Sequence, residues 1–176
     1  MKRLLLVLAF IGSAAVFQSC EGDPGPPGAD GADGVESEVF ELRNVNFTLN
    51  NNNEYTIYGT LNPNIFDSDN ILIYRLSGLI DANTPIWQLI PRTLFLNEGE
   101  LDYDYDFSKE DFTIYAGGTF NVGQVPQYIN NQTFRIVIIP GYFSKKAVDK
   151  QDYNAVLSAY GIDDSHIKVI QPIKNK

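Results

Sequence analysis

The sequence has almost none of the residue types on which redox and metal chemistry depend. Its 176 residues include one cysteine, one histidine, one tryptophan and one methionine. A lone Cys20 cannot form an intrachain disulfide or a multi-cysteine metal site, and a lone His166 cannot build a multi-histidine centre. There is also no Gly-x-Ser-x-Gly motif to carry a serine nucleophile. We therefore expect no enzymatic activity and no redox cofactor.

Basic residues are also scarce. The chain has 13 lysines and arginines against 22 acidic residues, which gives a formal net charge of -9. Two of the basic residues, Lys2 and Arg3, lie in the N-terminal leader. Because a chain of this charge repels phosphate backbones, we expect no nucleic-acid partner.

The N-terminal leader has no apolar run long enough to span a bilayer, which takes about 20 residues. Leu4 to Ile11 is apolar and follows a short basic start, as in a secretory signal peptide. Cleavage near Ser13-Ala14-Ala15 would release a soluble protein with one free thiol. The stretch FQSC instead resembles a lipobox, with Ser19 directly before Cys20. Because Cys20 has no disulfide partner, we favour residues 1–19 as a lipoprotein signal peptide and Cys20 as the lipid-carrying residue.

Glycine recurs at every third position from Gly22 to Gly34, which is the period of collagen. The run contains only five glycines, and its acidic residues have no lysine or arginine beside them. The free energy gained by forming five triplets of triple helix is small compared with the entropic cost of joining three chains. We expect residues 20–36 to form a lipid anchor and an extended tether of about 45 Å, and the protein to be a monomer, with a trimer as the alternative.

From residue 37 to 176 the composition changes to residues that favour β-strands. Strands are predicted at Val39–Leu49, in EYTIYGTL, at Asn70–Leu76, in PIWQLI and RTLFL on either side of Pro91, and in ELDYDYDF, FTIYAGGTFNV and FRIVIIPG. The continuous apolar run at Asn70–Leu76 indicates burial on both faces, and Pro91 indicates an edge or a bend. Short strands separated by turn signals predict an antiparallel β-sandwich.

One amphipathic helix is predicted near the C-terminus, at about 152–160. Tyr153, Val156, Leu157 and Tyr160 follow the i, i+3, i+4, i+7 pattern, with Asp152 as the N-cap and Gly161 as the C-cap glycine. The segment HIKVIQP can add a last short strand.

The segment ELDYDYDF alternates carboxylates with aromatic rings. On a strand, Asp102, Asp104 and Asp106 share one face and the rings share the other. The simplest interpretation is that the rings face the core and the carboxylates face solvent. Carboxylates at this spacing can also bind Ca²⁺ if loop oxygens complete the coordination, so Asp102, Asp104 and Asp106 are the candidate metal ligands. No other cofactor is predicted.

The order of these features is similar to that of small collagen-like lipoproteins of Bacteroidota. The resemblance rests on the leader, Cys20, the Gly-X-Y run, and the stretches ILIYRL, FLNEGELDYDYDF, TFRIVIIPG and DYNAVLSAYGI. It implies an outer-membrane lipoprotein with a β-rich domain and brings no established activity. Members sometimes carry the transferred name dihydrolipoamide dehydrogenase, yet this chain has neither a Gly-x-Gly-x-x-Gly motif nor a cysteine pair.

These features predict a lipid-anchored protein of the cell envelope that is attached to the outer membrane and has a structural or binding role. The predicted partners are the membrane, through the N-terminal lipid, and an envelope glycan or protein. The alternative is a carbohydrate- or calcium-dependent adhesion module that uses the acidic strand and exposed tyrosines. A third hypothesis is a small hydrolase, which requires Asp102, Asp104 or Asp106 to line a cleft.

Overall fold

The structure is a computed structural model that describes residues 37–143 and 147–173. The predicted signal peptide (1–19), Cys20 and the predicted tether through residue 36 lie outside the described residues. Within the described ranges the elements are β1 (Val39–Val45), β2 (Thr48–Leu49), β3 (Tyr55–Thr60), β4 (Asn70–Asp81), β5 (Thr84–Ile90), β6 (Arg92–Leu96), β7 (Gly99–Phe107), β8 (Asp111–Gly118), β9 (Gln132–Ile139), α1 (Tyr153–Tyr160) and β10 (Lys168–Ile170).

The strands form two five-stranded sheets. The first has the order β10-β1-β9-β4-β5, and only its β1–β10 pair is parallel. We call it the covered sheet because α1 packs on its outer face. The second has the order β2-β3-β8-β7-β6 and is fully antiparallel. We call it the open sheet.

The main core lies between the two sheets. From the covered sheet it takes Ile71 and Ile73 of β4 and Ile136 of β9, and from the open sheet Phe112 and Ile114 of β8. Gly59 of β3 is paired with Phe112, and a Cβ at Gly59 would collide with the Phe112 ring. Glycine at this position therefore allows the ring to lie flat against β3 in the core.

A second apolar cluster lies between the covered sheet and α1. Leu72 and Tyr74 of β4 and Val137 of β9 contact the buried face of the helix there. The helix begins after Asp152, whose side chain accepts a hydrogen bond from the Ala155 N–H, and it ends at Gly161 in the left-handed conformation. Both predicted caps and the predicted helical face are confirmed.

The predicted antiparallel sandwich is also confirmed, and so are its central strands. β9 is the middle strand of the covered sheet, and Ile136 and Ile138 both face the core between the sheets. β4 is buried on both faces at residues 71–75, as its apolar run indicated. Pro91 separates β5 and β6, which are edge strands of different sheets.

Two predicted strands were wrong in their extent. The strand predicted in FTIYAGGTFNV ends at Gly118 of β8, and residues 122–124 form a 3₁₀ turn capped by Asn121. Val39–Leu49 is not continuous: it forms β1 in the covered sheet and β2 in the open sheet. The ladder with β9 shifts register after Leu42, and Asn44 adopts a positive φ of 53°. Phe47 then enters the core, where its ring contacts Tyr103 and Phe134. Burial of this ring between the sheets explains why the chain crosses from one sheet to the other here.

Candidate ligand-binding groove

The predicted acidic strand is β7, and its side chains alternate as expected at the start of the strand. Tyr103 is buried in the core, and its hydroxyl donates to the Tyr128 carbonyl oxygen at 2.7 Å. Asp104 and Asp106 are exposed on the outer face of the open sheet. The alternation weakens toward the end of β7, where Phe107 is 39% exposed.

The three aspartates have different partners although they share one face. Thr93 of β6 donates to an oxygen of Asp102 at 2.6 Å, and Tyr115 of β8 donates to an oxygen of Asp106 at 2.8 Å. One oxygen of Asp104 accepts the neighbouring Tyr105 N–H at 2.8 Å. Asp102 and Asp106 therefore bind hydroxyls of adjacent strands, whereas Asp104 has a local backbone contact.

Asp104 also lines a groove of about 680 Å³ on the outer side of the open sheet. This volume is within the usual range for small-ligand sites. The lining combines two acids, three aromatic rings, two asparagine amides, two glycines and three apolar residues: Asp104, Glu54, Tyr55, Tyr115, Phe120, Asn53, Asn121, Gly117, Gly118, Leu49, Ala116 and Val122.

Gly117 creates the floor of the groove. It lies on β8 opposite Asp102 of β7, two residues after Tyr115 on the same face. A Cβ built at Gly117 would meet no atom within 4 Å, so the space above this residue is open. The depression thus exists because an outward-facing strand position has no side chain.

The polar groups of the groove are held by local hydrogen bonds. Asn121 caps a short 3₁₀ turn by accepting the Gly123 N–H at 3.0 Å, and Glu54 accepts from the side chain of Asn50 at 2.9 Å. Burial and the hydrogen bond to Asp106 raise the pKa of Tyr115, so this hydroxyl stays protonated at neutral pH. These contacts orient an amide, a carboxylate and a phenol around one space.

The structure leaves the calcium prediction open. Among residues 37–143 and 147–173, no group of three or more histidine, cysteine or acidic side chains is arranged to hold a metal ion. One oxygen of Asp102 and one of Asp106 are already engaged by hydroxyl groups of neighbouring strands.

The other residues discussed from the sequence lie elsewhere. His166 is exposed beside Lys168 of the edge strand β10, and its Nδ1 lies 2.8 Å from Ser165 Oγ. Within the part of the chain that the structure describes, no helix is both long and apolar enough to cross a membrane.

Sequence reasoning missed most of the groove. The acidic strand pointed to Asp104, but Glu54, Asn121 and Phe120 come from other segments that only the fold brings together. The Gly117-Gly118 pair inside the predicted strand FTIYAGGTFNV was the one available signal, since glycine inside a strand often marks a close approach or an open site.

No protein-family model, no curated protein and no solved structure matches the chain.

Proposed function

We propose that this chain is a lipid-anchored protein of the cell envelope whose sandwich domain binds a ligand without chemical conversion. The leader, Ser19 and the single Cys20 support attachment to the outer membrane through an N-terminal lipid. The similarity in feature order to collagen-like lipoproteins of Bacteroidota supports the same localisation. The groove floored by Gly117 is the single observation that carries the binding role.

The ligand that best suits this groove is an uncharged glycan. Asp104 and Glu54 accept hydrogen bonds from hydroxyl groups, and a charged acceptor strengthens such bonds. Tyr115 and Phe120 offer apolar ring surface to the C–H faces of a sugar. The two carboxylates and the net charge of -9 repel acidic polysaccharides, so a neutral glycan is favoured over an anionic one.

Filling the groove tests this ligand directly. The substitution Gly117→Val places a side chain in open space on a strand, so the fold is expected to remain and glycan affinity is expected to fall at least tenfold. Gly78→Val is the matched control, because a Cβ at Gly78 also meets no atom within 4 Å, and Gly78 lies in the covered sheet.

The measurement is calorimetric titration of the full chain in detergent with a panel of neutral and acidic oligosaccharides. Saturable binding of a neutral member, lost in Gly117→Val and kept in Gly78→Val, is the expected result. Absence of binding to every neutral member, or equal affinity in both variants, would remove the glycan from the proposal.

The anchor is tested separately by acylation. Cys20→Ala is expected to abolish incorporation of labelled fatty acid and to leave the leader unprocessed. A Cys20→Ala variant that still takes up the label would contradict the lipidation of Cys20, whatever the outcome of the glycan titration.

A further inference from the structure

The β4–β5 hairpin continues beyond the rest of the covered sheet. The β9–β4 ladder ends at the pair Phe134–Arg75, whereas β4 stays paired with β5 as far as Asp81. Across the described ranges, residues 76–81 of β4 therefore have a strand partner on one side only. A free strand edge of this kind can accept another extended chain.

A groove adjoins this free edge on the same face of the covered sheet as α1. It comprises two depressions of about 310 and 350 Å³, both lined by Asn83, Pro85, Trp87 and Arg135. We call it the Trp87 groove. Leu76 and Leu79 of the free edge line the first depression, and Leu79 is 58% exposed. The edge and the groove therefore form one continuous surface.

Arg135 crosses the Trp87 groove with its charge already balanced. Its guanidinium lies 4.3 Å from the Trp87 ring centroid and donates to Glu41 at 3.2 Å and to Asp164 at 2.8 Å. Arg43 contacts the other oxygen of Glu41 at 2.7 Å. Because two arginines face two carboxylates, the groove attracts neither anions nor cations strongly.

Trp87 has an unsatisfied hydrogen-bond donor at this place. Its indole Nε1 is buried and has no hydrogen-bond partner among the described residues. A buried N–H without an acceptor is unfavourable, and an uncharged carbonyl oxygen is enough to satisfy it. The site thus favours an uncharged ligand that carries acceptor oxygens.

We propose that the Trp87 groove and residues 76–81 bind an extended, uncharged peptide segment of a partner protein. The free edge of β4 supplies backbone hydrogen bonds, and Leu76 and Leu79 contact alternate side chains. The indole of Trp87 turns toward the peptide, so that its Nε1, which is covered in the free protein, donates to a peptide carbonyl. The strand edge favours a peptide over a glycan, because only a polypeptide continues a β-ladder. This site is separate from the groove at Gly117, and the proposal does not depend on the glycan.

Trp87 is the only tryptophan of the chain, so its emission reports directly on the site. The full chain in detergent is titrated with a library of uncharged hexapeptides blocked at both ends. At least one peptide is expected to shift the emission saturably. Methylation of alternate backbone nitrogens in that peptide is expected to weaken binding at least tenfold, because it removes the donors that pair with β4.

Variants separate this surface from other exposed apolar positions. Leu79→Ser is expected to lower the affinity at least fivefold, whereas Phe95→Ser, on the edge strand of the open sheet and 80% exposed, is expected to leave it unchanged. Trp87→Phe, followed by calorimetry, is expected to weaken binding because it removes the indole N–H and keeps a ring.

Three results would each overturn the proposal. The first is the absence of a saturable emission change with every peptide of the library. The second is equal affinity for the methylated and the unmethylated peptide. The third is equal peptide affinity of the Leu79→Ser and Phe95→Ser variants. A saturable shift of the Trp87 emission when a neutral oligosaccharide is added to Gly117→Val, with no response to any peptide, would assign the Trp87 groove to glycans and overturn the proposal as well. Gly117→Val serves as an independent control and is expected to bind peptide like the parent.

Discussion

The outer faces of the two sheets differ although both are built from strands with the same period of two. The covered sheet presents Leu72, Tyr74 and Val137 to α1, and the helix removes them from water. The open sheet presents Asp104, Asp106 and Tyr115, and none of the helices in the described ranges covers them. The side chains at alternate positions therefore decide which sheet becomes a second core and which remains available to ligands.

The difference extends to the hydroxyl groups of the tyrosines. Tyr74 and Tyr153 lie between sheet and helix, where burial is the main cause that raises their pKa values well above 10. Tyr58 on the open face owes its raised pKa first to the hydrogen bond that it donates to Asp111, and only then to burial. Desolvation is thus the leading cause between sheet and helix, whereas on the open face it leads for Tyr115 and the hydrogen bond to Asp111 leads for Tyr58.

The largest effect is expected at alkaline pH. Burial raises the pKa of Tyr103 to about 12 and those of Tyr74 and Tyr153 further, so the folded state holds these protons more tightly than the unfolded chain. Their contribution to stability is complete below the unfolded pKa of about 10 and is lost as pH rises through the folded values. We expect cooperative unfolding above about pH 11.

Ultraviolet absorbance at alkaline pH measures this, with circular dichroism as the check on folding. Tyr74 and Tyr153 should ionise only with the loss of structure. Ionisation of all ten tyrosines in one step near pH 10 with the fold intact would contradict the burial of these hydroxyls.

Truncation of core side chains should have the next largest effect. Ile136→Ala removes a side chain from the core between the sheets, and Leu72→Ala removes one from beneath the helix. Each is expected to lower the free energy of unfolding by about 2–5 kcal/mol, measured by urea denaturation. Thr60→Ala, at the exposed end of β3 in the open sheet, is the control, with an expected change below about 0.5 kcal/mol. A Leu72→Ala variant as stable as the control would mean that the helix side is not a true core.

The sequence predicts those parts of the architecture that depend on residues close together in the chain. The period-two and period-3.6 patterns identified the sandwich, the central strand β9 and the capped helix, because these depend on neighbours within about ten residues. The division of Val39–Leu49 between two sheets depends on the burial of Phe47 against Tyr103 and Phe134, which are distant in sequence. A pattern of neighbouring residues cannot predict the contact of Phe47 with residues so distant in sequence.

The candidate sites follow the same rule. The acidic strand was visible, but the groove also needs Glu54 and Asn121, which only sheet pairing brings near Asp104. Arg135 within the most apolar strand was a missed signal, because a charge at such a position must be paired. Its partners Glu41 and Asp164 lie far away along the chain.

A moderate effect is expected at the start of the helix. Asp152→Ala removes the acceptor of the Ala155 N–H and should lower the free energy of unfolding by about 1 kcal/mol. Ser158→Ala, at an exposed position inside the same helix, is the control and should be neutral or slightly stabilising. If both variants melt at the parent temperature, the helix contributes little to the stability of the covered sheet.

The smallest effect on stability is expected from the acidic strand. Asp104→Asn is nearly the same size as the parent residue and lies on a solvated face, so the free energy of unfolding should change by less than about 0.5 kcal/mol. The variant also tests calcium, since Asp102, Asp104 and Asp106 are the candidate ligands and Asp104 is the middle one of the three. A bound ion stabilises the folded chain by mass action, so a calcium site predicts both heat on titration and a melting temperature that rises with Ca²⁺, each lost in Asp104→Asn.

Calorimetry with millimolar Ca²⁺ at two temperatures is the measurement, and two temperatures are needed because a binding enthalpy can pass through zero at one of them. Absence of heat at both temperatures would leave the three carboxylates as a solvated face, of which only Asp104 contributes to the groove.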